Sequence, residues 1–112
     1  GVGENYCNFR MNYQGAVSLD ISTYYTVYAK VRWATNNEQT IRISRGQKKT
    51  FSYYSDVGTD REVMIFLPES LKTIENISRI YPNSIDVSKA TELTKIEAHN
   101  TNLFSVDLSK NK

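Results

Sequence analysis

Tyr24-Tyr25-Thr26-Val27-Tyr28-Ala29-Lys30-Val31-Arg32-Trp33 alternates from end to end. Tyr25, Val27, Ala29, Val31 and Trp33 fall on one side; Tyr24, Thr26, Tyr28, Lys30 and Arg32 fall on the other. A period of two with one apolar and one polar face is the pattern of an antiparallel strand buried on one side. The same period continues outward in both directions. Upstream, Cys7, Phe9, Met11 and Tyr13 alternate with polar residues, Gln14-Gly15 interrupts them, and Val17, Leu19 and Ile21 resume. Downstream, Thr35-Asn36-Asn37-Glu38 reads as a turn, since Asn tolerates the left-handed backbone that tight turns need. Ile41 and Ile43 follow, then a turn at Arg45-Gly46-Gln47-Lys48, a short strand with Phe51 and Tyr53, and a loop over residues 56–60. Val63, Ile65 and Leu67 make a last strand that stops before Pro68. No segment before Pro68 sustains a 3.6-residue period. Short strands separated by turn chemistry predict a mainly β fold, a small antiparallel β-sandwich or open sheet over residues 1–68.

Composition narrows the function classes. The 112 residues carry 14 Lys/Arg and 12 Asp/Glu, a formal net charge of +2, with both signs mixed in each half. No field of one sign is present to draw in nucleic acid or an anionic membrane. The densest basic group, Arg42, Arg45, Lys48 and Lys49, reads as a solvated hairpin. No apolar run is long enough to span a membrane. The single cysteine, Cys7, excludes an internal disulfide and reads as a strand residue facing the core. The single histidine, His99, is too few for a histidine zinc site or for a Ser-His-Asp set with a nucleophile elbow. The five glycines are scattered and form no phosphate loop. Asp56, Asp60 and Glu62 around Gly58 offer a weak calcium loop or a plain turn, and the turn is the simpler account. The expectation is a chain with no catalytic residues, no metal and no cofactor.

After Pro68 the character changes. Residues 85–89 read Ile-Asp-Val-Ser-Lys and residues 106–110 read Val-Asp-Leu-Ser-Lys, a self-match at an offset of 21 residues. Leu103, Val106, Leu108 and Asn111 fit L-x-x-L-x-L-x-x-N, and Leu93, Ile96 and Ala98 fit its apolar positions one half-turn earlier. A degenerate copy runs Leu71, Ile74, Ile77, Ile80, with Val63 and Ile65 standing 22 residues before Ile85 and Val87. A period in the twenties implies a coil in which each turn buries its apolar edge only against its neighbours. This predicts repeat turns over residues 69–112.

Residues 85–112, IDVSKATELTKIEAHNTNLFSVDLSKNK, resemble the leucine-rich repeats of surface and secreted proteins from Bacteroidetes-type bacteria. Residues 5–67 are similar to the small sandwich, like a polycystic-kidney-disease-type domain, that precedes such arrays. Relatives often carry a W-G-D-G turn there; this chain has Trp33-Ala34-Thr35-Asn36, keeping the aromatic and losing the Gly-Asp-Gly. The resemblance implies a non-catalytic, extracellular or cell-surface role, often on a lipid-anchored protein. The chain opens at Gly1 without an initiator Met, which suits a form whose signal or anchor has been removed. In such a bacterial protein the Asn76-Ile77-Ser78 glycosylation pattern would be silent.

Two kinds of partner are expected. A repeat array presents outward side chains at regular spacing to a protein, and Thr94, Lys95, Glu97 and His99 lie between the inward positions. The rival is a glycan stacking on Tyr24, Tyr28 and Tyr54, if these rings share one open face. A plain spacer is a third reading. Asn111-Lys112 falls in mid-repeat, so the expectation is a fragment of a longer array, or an open repeat end covered by docking on the sandwich or by self-association with a second copy.

Overall fold

The computed structural model describes residues 5–56, 58, 60–77, 82–97 and 106–107. Among the described residues ten strands follow one another: β1 (Tyr6–Met11), β2 (Gly15–Thr23), β3 (Val27–Ala34), β4 (Asn37–Ile43), β5 (Lys48–Ser55), β6 (Arg61–Phe66), β7 (Leu71–Glu75), β8 (Pro82–Asp86), β9 (Lys95–Ile96) and β10 (Val106–Asp107). A 3-10 turn at Pro68–Ser70 separates β6 from β7. The fold is therefore mainly β, and no helix of the described residues is long and apolar enough to cross a membrane. The strands form a six-stranded sheet in the order β10-β8-β1-β6-β3-β4 and a four-stranded sheet in the order β5-β2-β7-β9.

The alternation decides which side of each strand is buried. Cys7, Phe9 and Met11 of β1, Ala29, Val31 and Trp33 of β3, and Val63 and Ile65 of β6 turn inward from one sheet. Val17, Leu19 and Ile21 of β2, Phe51 of β5, and Leu71 and Ile74 of β7 turn inward from the other. Together they form one apolar cluster. Each large side chain fully removed from water there contributes roughly 1.5–3 kcal/mol. Trp33 links the sheets: its ring stacks on Tyr53 with centroids 5.6 Å apart and planes at 9°. Its indole nitrogen donates to Gln39 Oε1 at 3.0 Å, and Gln39 Nε2 donates on to the Ser52 carbonyl at 2.6 Å. That last bond covers part of the β5 edge, which would otherwise offer an unpaired strand to other chains.

Three sequence expectations change. Tyr25 was placed on the inward face of its run but is 65% exposed, because β3 begins only at Val27. Residues 24 and 25 make the bend by which the chain leaves one sheet for the other. The Tyr24 amide donates to the Ser70 carbonyl at 2.9 Å, and the Thr23 hydroxyl donates to the Tyr25 carbonyl at 2.7 Å. Leu67 was expected to face inward but is 48% exposed, in a left-handed conformation with φ 59°. Its carbonyl is captured by both the amide and the hydroxyl of Ser70, which starts the 3-10 turn. Val63 and Ile65 are not an early repeat copy. They lie in β6, antiparallel to β1, and β1 stands between β6 and β8.

The pairing changes sense beyond Pro68. β7 and β8 still run antiparallel to β2 and β1, but β9 joins β7 in parallel, with Thr73 opposite Lys95 and Ile74 opposite Ile96. β10 joins β8 in parallel, with Ile85 opposite Val106 and Asp86 opposite Asp107. Partners are thus 22 residues apart in one sheet and 21 in the other. Between β8 and β9 the chain turns tightly: Ala90 donates to the Val87 carbonyl and Leu93 to the Ala90 carbonyl. Asp86 Oδ1 accepts from both the amide and the hydroxyl of Ser88, the local turn that an Asp-x-Ser sequence makes. Leu71, Ile74 and Ile77 are buried, whereas Ile80, Ala98, Leu103, Leu108 and the Asn residues at 100, 102 and 111 lie outside the described residues.

Candidate functional site

The outer face of the four-stranded sheet is built of polar side chains in cross-strand register. One row runs Lys48, Ser22, Thr73 and Lys95 across β5, β2, β7 and β9. The next runs Thr50, Asp20 and Glu75 across β5, β2 and β7. Directly opposed side chains on one face are close enough to interact, and here nearly every one is committed. Ser22 and Thr73 share a hydrogen bond between their hydroxyls, and the Thr73 hydroxyl is also 3.0 Å from Glu75 Oε2. Asp20, only 6% exposed, accepts from the Thr50 hydroxyl at 2.7 Å and from the Asn76 side-chain amide. Asn76 reaches back because it follows β7 with φ 58°, a left-handed turn that Asn tolerates.

Glu75 is the electrostatic centre of this face. Its Oε1 lies 3.3 Å from Lys95 Nζ and 3.8 Å from Lys48 Nζ, with its side chain 15% exposed. Burial by itself raises a carboxyl pKa; hydrogen bonds from Thr73 and Lys95 and the charges of Lys48 and Lys95 outweigh it, so Glu75 sits below the ordinary carboxylate value. A carboxyl lowered in the folded state stabilises the fold above its unfolded pKa, and that stabilisation is lost as pH falls through the folded value. Glu75→Gln is therefore expected to destabilise the protein at pH 7 and to make little difference at pH 2. Urea unfolding of both proteins at the two pH values checks this, and an equal deficit at both would contradict it.

The expected partner-binding residues are distributed unevenly. Lys95 stands at the end of the polar row on β9 with its side chain 52% exposed, between Glu75 and Glu97, the latter 4.0 Å away. Thr94 is exposed, yet its amide and hydroxyl both donate to the Lys72 carbonyl, at 2.9 and 3.0 Å. Glu97 is half-buried, and its backbone joins the ladder, donating to the Ile74 carbonyl and accepting from the Ile77 amide. His99 lies outside the described residues. Glu75 and Asp20 were not singled out from the sequence. Glu75 stands diagonally from Lys95 only once β9 is paired with β7, which sets Thr73 opposite Lys95.

The three tyrosines do not meet. Tyr24 was expected on an open polar face; it is half-buried instead, its hydroxyl donating to the Glu92 carbonyl at 2.9 Å and its ring 5.8 Å from Lys72 Nζ. It joins the two-sheet body to the turn before β9. Tyr28 and Tyr54 are each 67% exposed, but Tyr28 points outward from the six-stranded sheet and Tyr54 outward from the four-stranded one, so the rings face opposite ways. Of the acidic loop, Asp60 is held by Arg10, and no group of acidic, thiol or imidazole side chains suited to a metal ion occurs among the described residues. In the basic hairpin, Arg42 donates to the Ser44 hydroxyl and Lys48 turns towards Glu75. Cys7 is buried; desolvation first, then the nearby charges of Asp86 and Glu69, push its thiol up to about 12, so it is not a ready nucleophile.

No protein-family model matches the chain, and no curated protein and no solved structure is detectably similar to it.

Proposed function

We propose that this chain is a non-catalytic extracellular recognition module in which a small β-sandwich carries the first turns of a leucine-rich-repeat array, and that it binds a protein partner. The observation that carries this reading is the parallel addition of β9 to β7 and β10 to β8 at spacings of 22 and 21 residues. A coil that advances one strand in each sheet about every 21 residues is the geometry of a repeat array. On this reading β7 and β8 are its first turn, built onto the sandwich through β2 and β1, so that the sandwich covers one end of the stack. The recognition face is the outer side of the four-stranded sheet, where each further repeat adds one outward position beside Lys95. Alternating charge at strand spacing suits an extended protein surface and sets its register.

The glycan reading finds less support, since the tyrosines it needs do not share a face. The two readings separate in one experiment. The purified chain is used to select binders from a displayed peptide library and is assayed in parallel on a panel of immobilised oligosaccharides. The expected result is peptide binding that Lys95→Glu weakens by about tenfold, the scale of one interfacial charge pair, and that Tyr28→Ala and Tyr54→Ala leave unchanged. Binding confined to glycans and lost with Tyr28 or Tyr54 would replace this proposal with the rival.

A further inference from the structure

The six-stranded sheet ends at β4, and no described strand lies beyond it. In an antiparallel ladder every second residue turns its N–H and C=O away from its neighbour, so β4 presents a row of backbone donors and acceptors on its outer side. A proline, a bulge or charged side chains blunt such an edge. β4, Asn37-Glu38-Gln39-Thr40-Ile41-Arg42-Ile43, has no proline. Its ladder with β3 shifts register only between Arg32 and Ala34, beside the hairpin turn, and runs evenly from Arg32 opposite Glu38 to Val27 opposite Ile43. The neighbouring β5 edge differs, since Gln39 already covers its Ser52 carbonyl.

β4 does carry charge, and its placement selects a partner. Glu38, Thr40 and Arg42 are exposed on the outer face, alternating with Gln39, Ile41 and Ile43 on the inner one. Glu38 and Arg42 stand two residues to either side of Thr40. When two β4 strands pair antiparallel about Thr40, Glu38 falls opposite Arg42 of the second copy, Arg42 opposite Glu38 of the second copy, and Thr40 opposite Thr40. Opposite charges and threonine pairs directly across a ladder both stabilise it. Like charges at 38 and 42 would keep two copies apart; opposite charges equidistant from the centre draw them together. Arg42 also gains a carboxylate. Within one copy it donates to the Ser44 hydroxyl at 3.2 Å and pairs with no carboxylate of the described residues, whereas Glu38 is held on the β3 side by Arg32 and Lys30. On the inner face Gln39 meets Ile41 of the second copy, and both are only half-buried in a single copy.

We propose that β4 pairs with β4 of a second copy about a two-fold axis beside Thr40, joining the two six-stranded sheets into one continuous sheet. A strand keeps each of its faces on one side of a continuous sheet, so the axis is perpendicular to that sheet. The four-stranded sheets of both copies then lie on the same side, with their outer faces pointing the same way. The dimer thus offers two recognition faces to one surface, and simultaneous engagement adds avidity. That consequence rests on the recognition reading; the strand pairing does not.

Sedimentation equilibrium of the full chain tests the pairing. The expected result is a monomer–dimer equilibrium with a dissociation constant on the order of 100 µM, as suits one strand set against another. Arg42→Glu and Glu38→Arg each set like charges opposite one another at both ends of the pair, and each is expected to weaken association at least about tenfold. An equimolar mixture of these two variants sets arginine opposite glutamate throughout and is expected to associate again. Thr40→Lys places two ammonium groups face to face at the axis and is also expected to separate the copies; it serves if Glu38→Arg, which loses the Arg32 pair, does not fold. A chain that stays monomeric at about 1 mM would overturn the proposal. So would a mixture of the two charge variants that fails to associate. Association that Arg42→Glu and Thr40→Lys leave undiminished would place the contact elsewhere on the molecule and overturn it equally.

Discussion

Trp33→Ala is expected to lower the free energy of unfolding by about 3–5 kcal/mol, the cost of truncating a fully buried aromatic side chain. Three losses combine. Trp33 has no exposed surface, so the space it leaves opens inside the apolar cluster. Its parallel stack on Tyr53 is a contact between the two sheets. Its indole N–H positions Gln39, which caps the Ser52 carbonyl at the β5 edge. A domain of this size has roughly 5–15 kcal/mol in all, so the variant stands near the limit of folding. The measurement is the urea midpoint followed by far-UV circular dichroism, since the only tryptophan is removed. Trp33→Phe separates the causes: it retains a ring for Tyr53 and loses the Gln39 bond, and is expected to cost less. A loss under about 1 kcal/mol in Trp33→Ala would mean that the two sheets do not depend on this contact.

Asp20→Ala is expected to cost about 1–3 kcal/mol, because it removes a nearly buried carboxylate that accepts from both the Thr50 hydroxyl and the Asn76 amide. The size of the effect follows from the charge: hydrogen bonds to an ionised acceptor contribute about 1.5–3 kcal/mol, more than neutral ones. The carboxylate joins β5, β2 and the turn after β7, so its loss also loosens the strand on which β9 lies. Hydrogen exchange at the Thr94 and Glu97 amides, which donate into β7, is expected to accelerate more than exchange at Val31 in β3. Uniform acceleration across both sheets would instead show that Asp20 supports the whole body and not the joint.

The inward residues of β1, β2, β3 and β6 were legible because strand periodicity is local: neighbouring side chains on an extended backbone point to opposite faces whatever lies beside them. The errors fell where the chain leaves a strand. Tyr25 and Leu67 continue an alternating pattern on paper, but the backbone bends at both, the first to cross between sheets and the second to enter a 3-10 turn. Val63 and Ile65 matched the repeat spacing by composition alone. Spacing says nothing about which strand is next door, and β1 occupies that place. Lys95 was legible as an outward residue; Glu75 and Asp20 were not, since polar strand residues look alike until their cross-strand partners are known.

By itself, then, the sequence determined the β class, the buried side of most strands, the presence of a single histidine and a single cysteine, and a self-match at an offset of 21 residues that the pairing of β10 with β8 repeats. These are properties of local backbone geometry and of composition, which a sequence carries directly. The tertiary structure alone decided that Tyr28 and Tyr54 face opposite ways, that Glu75 gathers Lys48 and Lys95, and that Arg61 turns inward to the Tyr53 hydroxyl. Each of these depends on strands distant in the chain being brought side by side, and that pairing is set by the burial of the whole core and not by any one segment.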